Sequence, residues 1–315
     1  HIYIKDIKTK TLLPYKISST NGSYVWGNDS RTIYYVKRDD KHRPSRVYRH
    51  NLDNGEGKDE LVFEESDPGF FLEVEKTESG RFILIYSNDE TAWEIYFLDA
   101  NNPQGKPRLI KPRKKGEVYE VSDHDDVFYI LTNTDGAKDF KVMETPITHP
   151  SKAHWKEVVP HHPGRFIRQI LTFKHHLVRL ELYRGLPRIV VSDLEHQNSH
   201  VIDFKRIHYD LQFHTHNDFN TDILRFSYGS FRTRKRVFSY NMNTHKRQVI
   251  RENAMKGGFH PDNYISKRLF APAPDGETIP VIVFYRKDTK LNGTAPLFIT
   301  AYGAYGHMVE TSFEY

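Results

Sequence analysis

Apolar residues along this chain fall into short runs separated by clusters of turn-forming residues, and before residue 260 no run shows the i, i+3, i+4, i+7 spacing of an amphipathic helix. One stretch shows the pattern: residues 118–121 (VYEV), 127–131 (VFYIL), 140–145 (FKVMET) and 154–159 (HWKEVV) are rich in β-branched and aromatic residues, and SDHDD, TNTDGAK and PITHPSKA lie between them. This spacing predicts four strands joined by turns.

The pattern repeats. An apolar residue near the end of each third strand marks the period: Ile7, Leu52, Leu98, Ile147, Leu194 and Met242. Successive intervals are 45, 46, 49, 47 and 48 residues (52−7, 98−52, 147−98, 194−147, 242−194). Four short strands in about 47 residues form one blade of a β-propeller. A single four-stranded sheet cannot bury both faces, so blades must stack on one another. The arithmetic predicts five full four-stranded blades ending near Ile250. Ile7 closes part of another blade, which implies propeller sequence upstream.

The period stops at the sequence GGFHP, residues 257–261. Residues 264–271 (YISKRLFA), the turn Pro274-Asp275-Gly276 and residues 278–285 (TIPVIVFY) read as a hairpin. Residues 295–302 (APLFITAY) read as a buried strand running into a Gly-rich turn, YGAYG. A hairpin, a buried strand and a Gly-rich turn are the order that opens an α/β-hydrolase domain, where the loop after the third strand helps to build an oxyanion hole. The expected fold is mainly β, with an incomplete propeller over residues 1–260; residues 261–315, read alone, fit either the start of an α/β-hydrolase catalytic domain or a hairpin and strand followed by an ordinary Gly-rich turn.

Composition changes this picture little. Aromatic residues make up 13% of the chain, which suits strands. No stretch approaches the roughly 20 apolar residues that cross a bilayer, so no membrane partner is expected. The net charge of +5 includes two basic runs, 111–115 (KPRKK) and 232–236 (RTRKR). Neither is interleaved with a stacking motif, so they read as solvated loops or strand edges, and nucleic acid is not an expected partner. The absence of cysteine excludes disulfides, thiolate catalysis and Cys-based zinc sites, and fits a reducing, cytoplasmic location.

No self-sufficient catalytic motif is present: there is no G-x-S-x-G, H-E-x-x-H, Walker loop or G-x-G-x-x-G. His214 and His216 would share a strand face but lack a third ligand. The acidic stretches 123–126 (DHDD) and 133–136 (NTDG) lack a spaced calcium-ligand set and read as turns. His161-His162 and His175-His176 read as loop and turn residues. No metal or cofactor is expected.

Several stretches together carry a resemblance: residues 26–52, 70–87, 128–147 (FYILTNTDGAKDFKVMETPI), 183–191 (YRGLPRIVV), 257–281 and 296–306 (PLFITAYGAYG). Across its whole length the chain resembles the prolyl oligopeptidase family of serine peptidases. Arg43-Pro44 with Arg49-His50, and TNTDGAKDF, point to its oligopeptidase B branch. The resemblance implies a seven-bladed propeller capping an α/β-hydrolase domain, a Ser-His-Asp triad, and cleavage of short peptides after Arg or Lys. The propeller would act as a size filter over the active site. The triad would lie in the remaining catalytic domain of the same protein, after Tyr315, so this stretch alone would be inactive. One catalytic group carries over: Tyr302 matches the tyrosine whose hydroxyl supports the oxyanion. The motif around it departs from the family at Thr300, and Arg234 stands where proline is usual. Outside the resemblance, the competing reading is a propeller that only binds other proteins.

Overall fold

Twenty strands fall into five antiparallel sheets of four, each ordered as a simple meander, and the assignment holds for the residues that this computed structural model describes (1–204, 208–214, 218–253, 258–303 and 309). Sheet one holds β1 (Thr20–Trp26), β2 (Thr32–Arg38), β3 (Pro44–Asn51) and β4 (Glu60–Glu64). Sheet two holds β5 (Phe71–Lys76), β6 (Phe82–Asn88), β7 (Trp93–Asp99) and β8 (Arg108–Lys111). Sheet three holds β9 (Tyr119–His124), β10 (Val127–Thr132), β11 (Lys141–Pro146) and β12 (Lys156–Val159). Sheet four holds β13 (Arg165–Thr172), β14 (His176–Tyr183), β15 (Leu186–Asp193) and β16 (Ser199–Ile202). Sheet five holds β17 (Asp210–Phe213), β18 (Ile223–Ser230), β19 (Thr233–Asn241) and β20 (Arg247–Glu252). The expected five full blades and their period are thus present. The described residues contain no α-helix, only four short 3-10 turns.

The sequence of each strand follows its place in the sheet. Second strands are central and covered on both faces, so β2 (TIYYVKR), β6 (FILIYSN) and β10 (VFYILT) are nearly continuous buried runs. Fourth strands are edges and mostly exposed, as in β20 (RQVIRE), where every residue is exposed. Charged side chains on these edges discourage pairing with other chains.

The repeat rests on one recurring bond. The residue that follows each third strand donates its N–H to the carbonyl just before the second strand: Leu52 to Arg31, Ala100 to Arg81, Ile147 to Asp126, Leu194 to His175 and Met242 to Asp222, at 2.8–3.0 Å. The equivalent residue of sheet two is therefore Ala100, not Leu98. With that correction the intervals tighten to 48, 47, 47 and 48 residues (100−52, 147−100, 194−147, 242−194). Ile7 sits in the turn closed by the antiparallel bridge Lys5–Leu12, beyond the bridge Ile2–Ile17, and is exposed. Ile2 and Ile17, not Ile7, pack against Ile33 and Tyr35 of sheet one.

Two units, residues 1–161 and 162–315, have separate cores. In the first, Leu72 and Val74 of β5 pack against Tyr34, Val36 and Val47 of sheet one. Phe82, Phe97 and Phe128 meet edge-to-face at centroid distances of 5.1–5.6 Å between sheets two and three. Burying one such ring contributes about 1.5–3 kcal/mol, and each aromatic pair adds about 0.5–1.5 kcal/mol. In the second unit, Phe173, Val178 and Ile189 of sheet four face Leu211, Phe226 and Met242 of sheet five.

The second unit also contains the expected hairpin, β21 (Tyr264–Pro272) and β22 (Thr278–Arg286), paired in unbroken register. Gly276 adopts φ +87° at its turn, a conformation that a side chain disfavours. The expected strand over 295–302 is not formed. Residues 295–303 have no strand pairing, and Leu297, Phe298 and Ile299 are 75–90% exposed. An apolar run becomes a buried strand only beside hydrogen-bonding neighbours, and no described strand flanks this one.

Candidate functional site

Alternation in β5 places Leu72 and Val74 in the core and turns Glu73 and Glu75 to the other face. β5 is the first strand of sheet two, with one edge unpaired within that sheet. Its neighbour from sheet one is β1, joined through Ser23, whose hydroxyl accepts from the Val74 N–H at 2.9 Å and donates to its carbonyl at 3.2 Å. Glu120, on β9, the first strand of sheet three, and Glu78, in the β5–β6 turn, complete an acidic face.

These carboxyls hold protons tightly. Removal from water pushes Glu120 up to about 7, helped by the charges of Glu75 and Glu78. Glu78 is likewise pushed up to about 7, first by burial, with Asp123 adding to it against bonds from its own backbone and from Ser122. Glu75, the most exposed of the three, is raised by desolvation first and by Glu73 second. Tyr86 bonds Glu75, and its hydroxyl is pushed well above the usual phenol range by burial and by all three acids. Asp123, fully buried, accepts from Ser79 at 2.7 and 2.8 Å and lies 3.7 Å from Arg81. The face gains negative charge as pH rises through about 7. Among the described residues no group of three or more His, Cys, Asp or Glu side chains is placed to hold a metal ion. The sequence signal for this face was the i, i+2 spacing of the glutamates in LEVEK, which a strand puts on one side.

Ser122, Asp123 and His124 do not form a turn as expected. They belong to β9 and are buried, and the turn consists of Asp125 and Asp126. His176 is not a turn residue either: it opens β14 and is buried. His214 follows β17 with its N–H on the Arg225 carbonyl at 3.0 Å, and its imidazole is held below its usual range by burial and by Lys235 and Arg251. His216 and the YGAYG residues 304–306 lie outside the described residues. Tyr302 is exposed, in segment 295–303, which forms no strand.

The basic runs are engaged internally. Lys111 is buried on Glu117 at 2.9 Å, Lys114 meets the same carboxylate at 2.8 Å, and Arg113 reaches Glu65 at 2.6 Å. Arg232 donates to the Pro261 carbonyl at 3.0 Å, Lys235 to Gln212 at 2.9 Å, and Arg236 pairs with Glu252 at 3.2 Å.

Of the residues that carried the resemblance, Arg43 and Arg49 fasten sheet one to sheet two, and His50 braces sheet one from within. Arg43 donates to Asp39 at 3.1 Å and to the carbonyls of Glu65, Asp67 and Phe70, on the passage from sheet one to sheet two. Arg49 pairs with Glu60 at 2.5 Å and bonds the Pro103 and Gly105 carbonyls of sheet two at 2.5 and 3.3 Å. His50 is buried between Asp59, at 2.6 Å from Nδ1, and the Tyr15 hydroxyl, at 3.0 Å from Nε2; Tyr35 donates to the other Asp59 oxygen at 2.6 Å.

Five successive four-stranded meanders on a 47–48-residue period define a β-propeller protein. A family model described as "Prolyl oligopeptidase, N-terminal beta-propeller domain" matches residues 1–253, and the chain belongs to that family. It is 30% identical to "Protease 2" of Moraxella lacunata, over 99% of this chain and 45% of that protein. Identity to "Dipeptidyl aminopeptidase BI" of Pseudoxanthomonas mexicana is also 30%, over 99% of this chain and 43% of that protein. Among solved structures, oligopeptidase B from Leishmania major superposes with a TM-score of 0.90 at 27% identity, covering 98% of this chain and 45% of that one. Oligopeptidase B from Trypanosoma brucei, with covalently bound antipain in a closed form, gives 0.88 at 26% identity, covering 96% and 44%. The chain thus spans less than half the length of the curated relatives it matches, which bear peptidase names. No described helix is long and apolar enough to cross a membrane.

Proposed function

We propose that this chain is the propeller of a cytoplasmic serine oligopeptidase that cleaves short peptides after Arg or Lys. In this reading residues 261–315 open its α/β-hydrolase domain, and the Ser-His-Asp triad is carried elsewhere in the whole protein. The observation that carries the reading is the acidic face made by Glu73, Glu75, Glu78 and Glu120 on and beside the first strands of sheets two and three. First strands of neighbouring blades lie toward a propeller's axis, and β1 and β5 adjoin here through Ser23 and Val74. Carboxylates there would draw a cationic peptide inward, and the narrow axis would exclude folded proteins. Tyr302 would donate its hydroxyl to the oxyanion once residues 295–302 pair within the hydrolase sheet.

The test is steady-state hydrolysis of Arg-, Lys- and Leu-containing peptides by the whole protein and by Glu75→Gln/Glu120→Gln. We expect kcat/KM for the cationic peptides to fall several-fold in the variant at low salt and pH 8, mainly through KM, with little change as salt rises and screens the charges. Equal effects on the Leu peptide would remove the role of the acidic face. A whole protein that hydrolyses nothing and takes up no serine-directed phosphonate would instead be a propeller that only binds other proteins.

A further inference from the structure

Four contacts between described residues seat the β21–β22 hairpin on sheets four and five. Arg268 donates to the Arg184 carbonyl in the β14–β15 turn, and Pro280 closes over Gly185 in the same turn. Phe284 stacks on Phe231 at a centroid distance of 5.4 Å. Ser266 Oγ lies 2.6 Å from His208 Nε2. The first three contacts keep their charge state across the physiological range; the last contains an imidazole.

His208 is 8% exposed and Ser266 9%. The second ring nitrogen, Nδ1, has no hydrogen-bond partner among the described residues. A neutral imidazole needs only one strong bond in such a place. An imidazolium has two N–H donors and a full charge, and here one donor would be left unsatisfied away from water. Among the described residues no carboxylate raises the ring's affinity for a proton. The flanking charged groups are Asp210 on β17, Arg232 in the β18–β19 turn, Asp262 before β21, Lys267 and Arg268 on β21, and Arg286 on β22. Of these, Arg232 acts on the ring, and it is itself 3.5 Å from Asp262; Arg286 pairs with Asp288 at 2.9 Å.

We propose that the His208–Ser266 pair is a proton-sensitive latch: the hairpin is seated while His208 is neutral and lifts from sheet five when it is protonated. The proposal is independent of any peptidase activity. Burial first, and Arg232 second, hold His208 below its usual value in the seated form. The lifted form regains the ordinary value of about 6.5. Seating is therefore complete above that value and weakens as pH falls below it. Going from pH 7.5 to 5.5, a group that protonates only in the lifted form raises the lifted-to-seated ratio by up to about tenfold.

The experiment is hydrogen–deuterium exchange on the intact protein at pH 7.5 and 5.5, corrected for intrinsic exchange rates. Peptides from β21 and β22 are compared with peptides from β15. We expect hairpin protection to fall by about five- to tenfold at pH 5.5 while β15 stays within about twofold. His208→Gln, which can still bond Ser266 but cannot titrate, should flatten the response. The proposal is overturned if wild-type hairpin protection changes no more than that of β15, or if His208→Gln responds as wild type does. Should that variant not fold, NMR titration of the wild-type imidazole decides: a midpoint below 6.5 with coupled shifts of hairpin amides supports the latch, and an ordinary midpoint without them overturns it.

Discussion

Arg113 closes on Glu65 with two bonds, Nη1 to Oε2 at 2.6 Å and Nη2 to Oε1 at 3.3 Å, and so fastens the end of sheet one to the edge of sheet two. Glu65 is 4% exposed. Burial alone would lift its pKa, but the bonds from Arg113 and Ser87 outweigh that and hold it below the usual range. The guanidinium also covers the Phe70 ring at 3.8 Å. Removing one partner of a buried pair leaves an uncompensated charge, which costs about 3–5 kcal/mol. Arg113→Ala should therefore lower stability by that order, read as a reduced midpoint in urea unfolding. Glu65→Gln/Arg113→Met should recover much of the loss, because it leaves no buried charge behind.

The acidic face makes a pH prediction with a definite sign. Glu78 and Glu120 are raised from about 4.5 to about 7, so the folded protein binds more protons than the unfolded chain between those values. Their favourable contribution is complete below the unfolded value and is lost as pH rises through about 7. His176, His200, His208 and His214, lowered chiefly by burial, titrate with the opposite sign, so the reading must be a difference between proteins. Glu78→Gln/Glu120→Gln should be more stable than wild type at pH 8 and lose that advantage near pH 5. A stability difference that stays constant over this range would show that the two carboxyls titrate normally.

Gly185 separates backbone strain from contact. Its φ is +71°, and a Cβ would stand 3.0 Å from the Arg268 guanidinium and 3.2 Å from Pro280. Gly164, with φ +78°, has open space at the same position. Gly164→Ala should cost about 1–2 kcal/mol from the left-handed conformation alone. Gly185→Ala should cost more than its control and should speed proteolysis within the β21–β22 hairpin, since Arg268 and Pro280 must give way. Equal costs for the two would mean that the hairpin is not held at this turn.

The sheets were legible because a four-stranded blade writes its own depth into the chain. Central strands such as β6 are mostly apolar, while edge strands such as β20 are mostly polar. The slip from Ala100 to Leu98 has the same origin: both are buried in one cluster at the end of β7, and Leu98 is the larger apolar side chain. What joins the sheets was not legible. Arg43 and Arg49 look like any surface arginines in sequence, and their partners lie up to 56 residues away. The basic run 111–115 misled similarly, because ion pairing with Glu65 and Glu117 draws Lys111 and Arg113 inward. The apolar run 295–302 announced a buried strand, but apolarity says what a segment would bury and not whether a neighbour is there to receive it.

Tyr302 carries the last prediction, which concerns the whole protein. An oxyanion donor must be held rigidly and aimed at the place where negative charge develops. The run Pro296 to Ala301 can supply a rigid strand only when paired, and Gly303 lets the chain turn away without a side chain crowding the hydroxyl. If Tyr302 has this role, Tyr302→Phe removes one hydrogen bond and keeps the ring. Loss of one such donor costs about 10²–10³ in kcat. KM should change little, because the bond strengthens only in the transition state. Far-UV circular dichroism and the unfolding midpoint should match wild type, since a ring without its hydroxyl packs as before. A kcat within about twofold of wild type would make Tyr302 a packing residue, and the oxyanion donor would then have to be sought elsewhere in the protein.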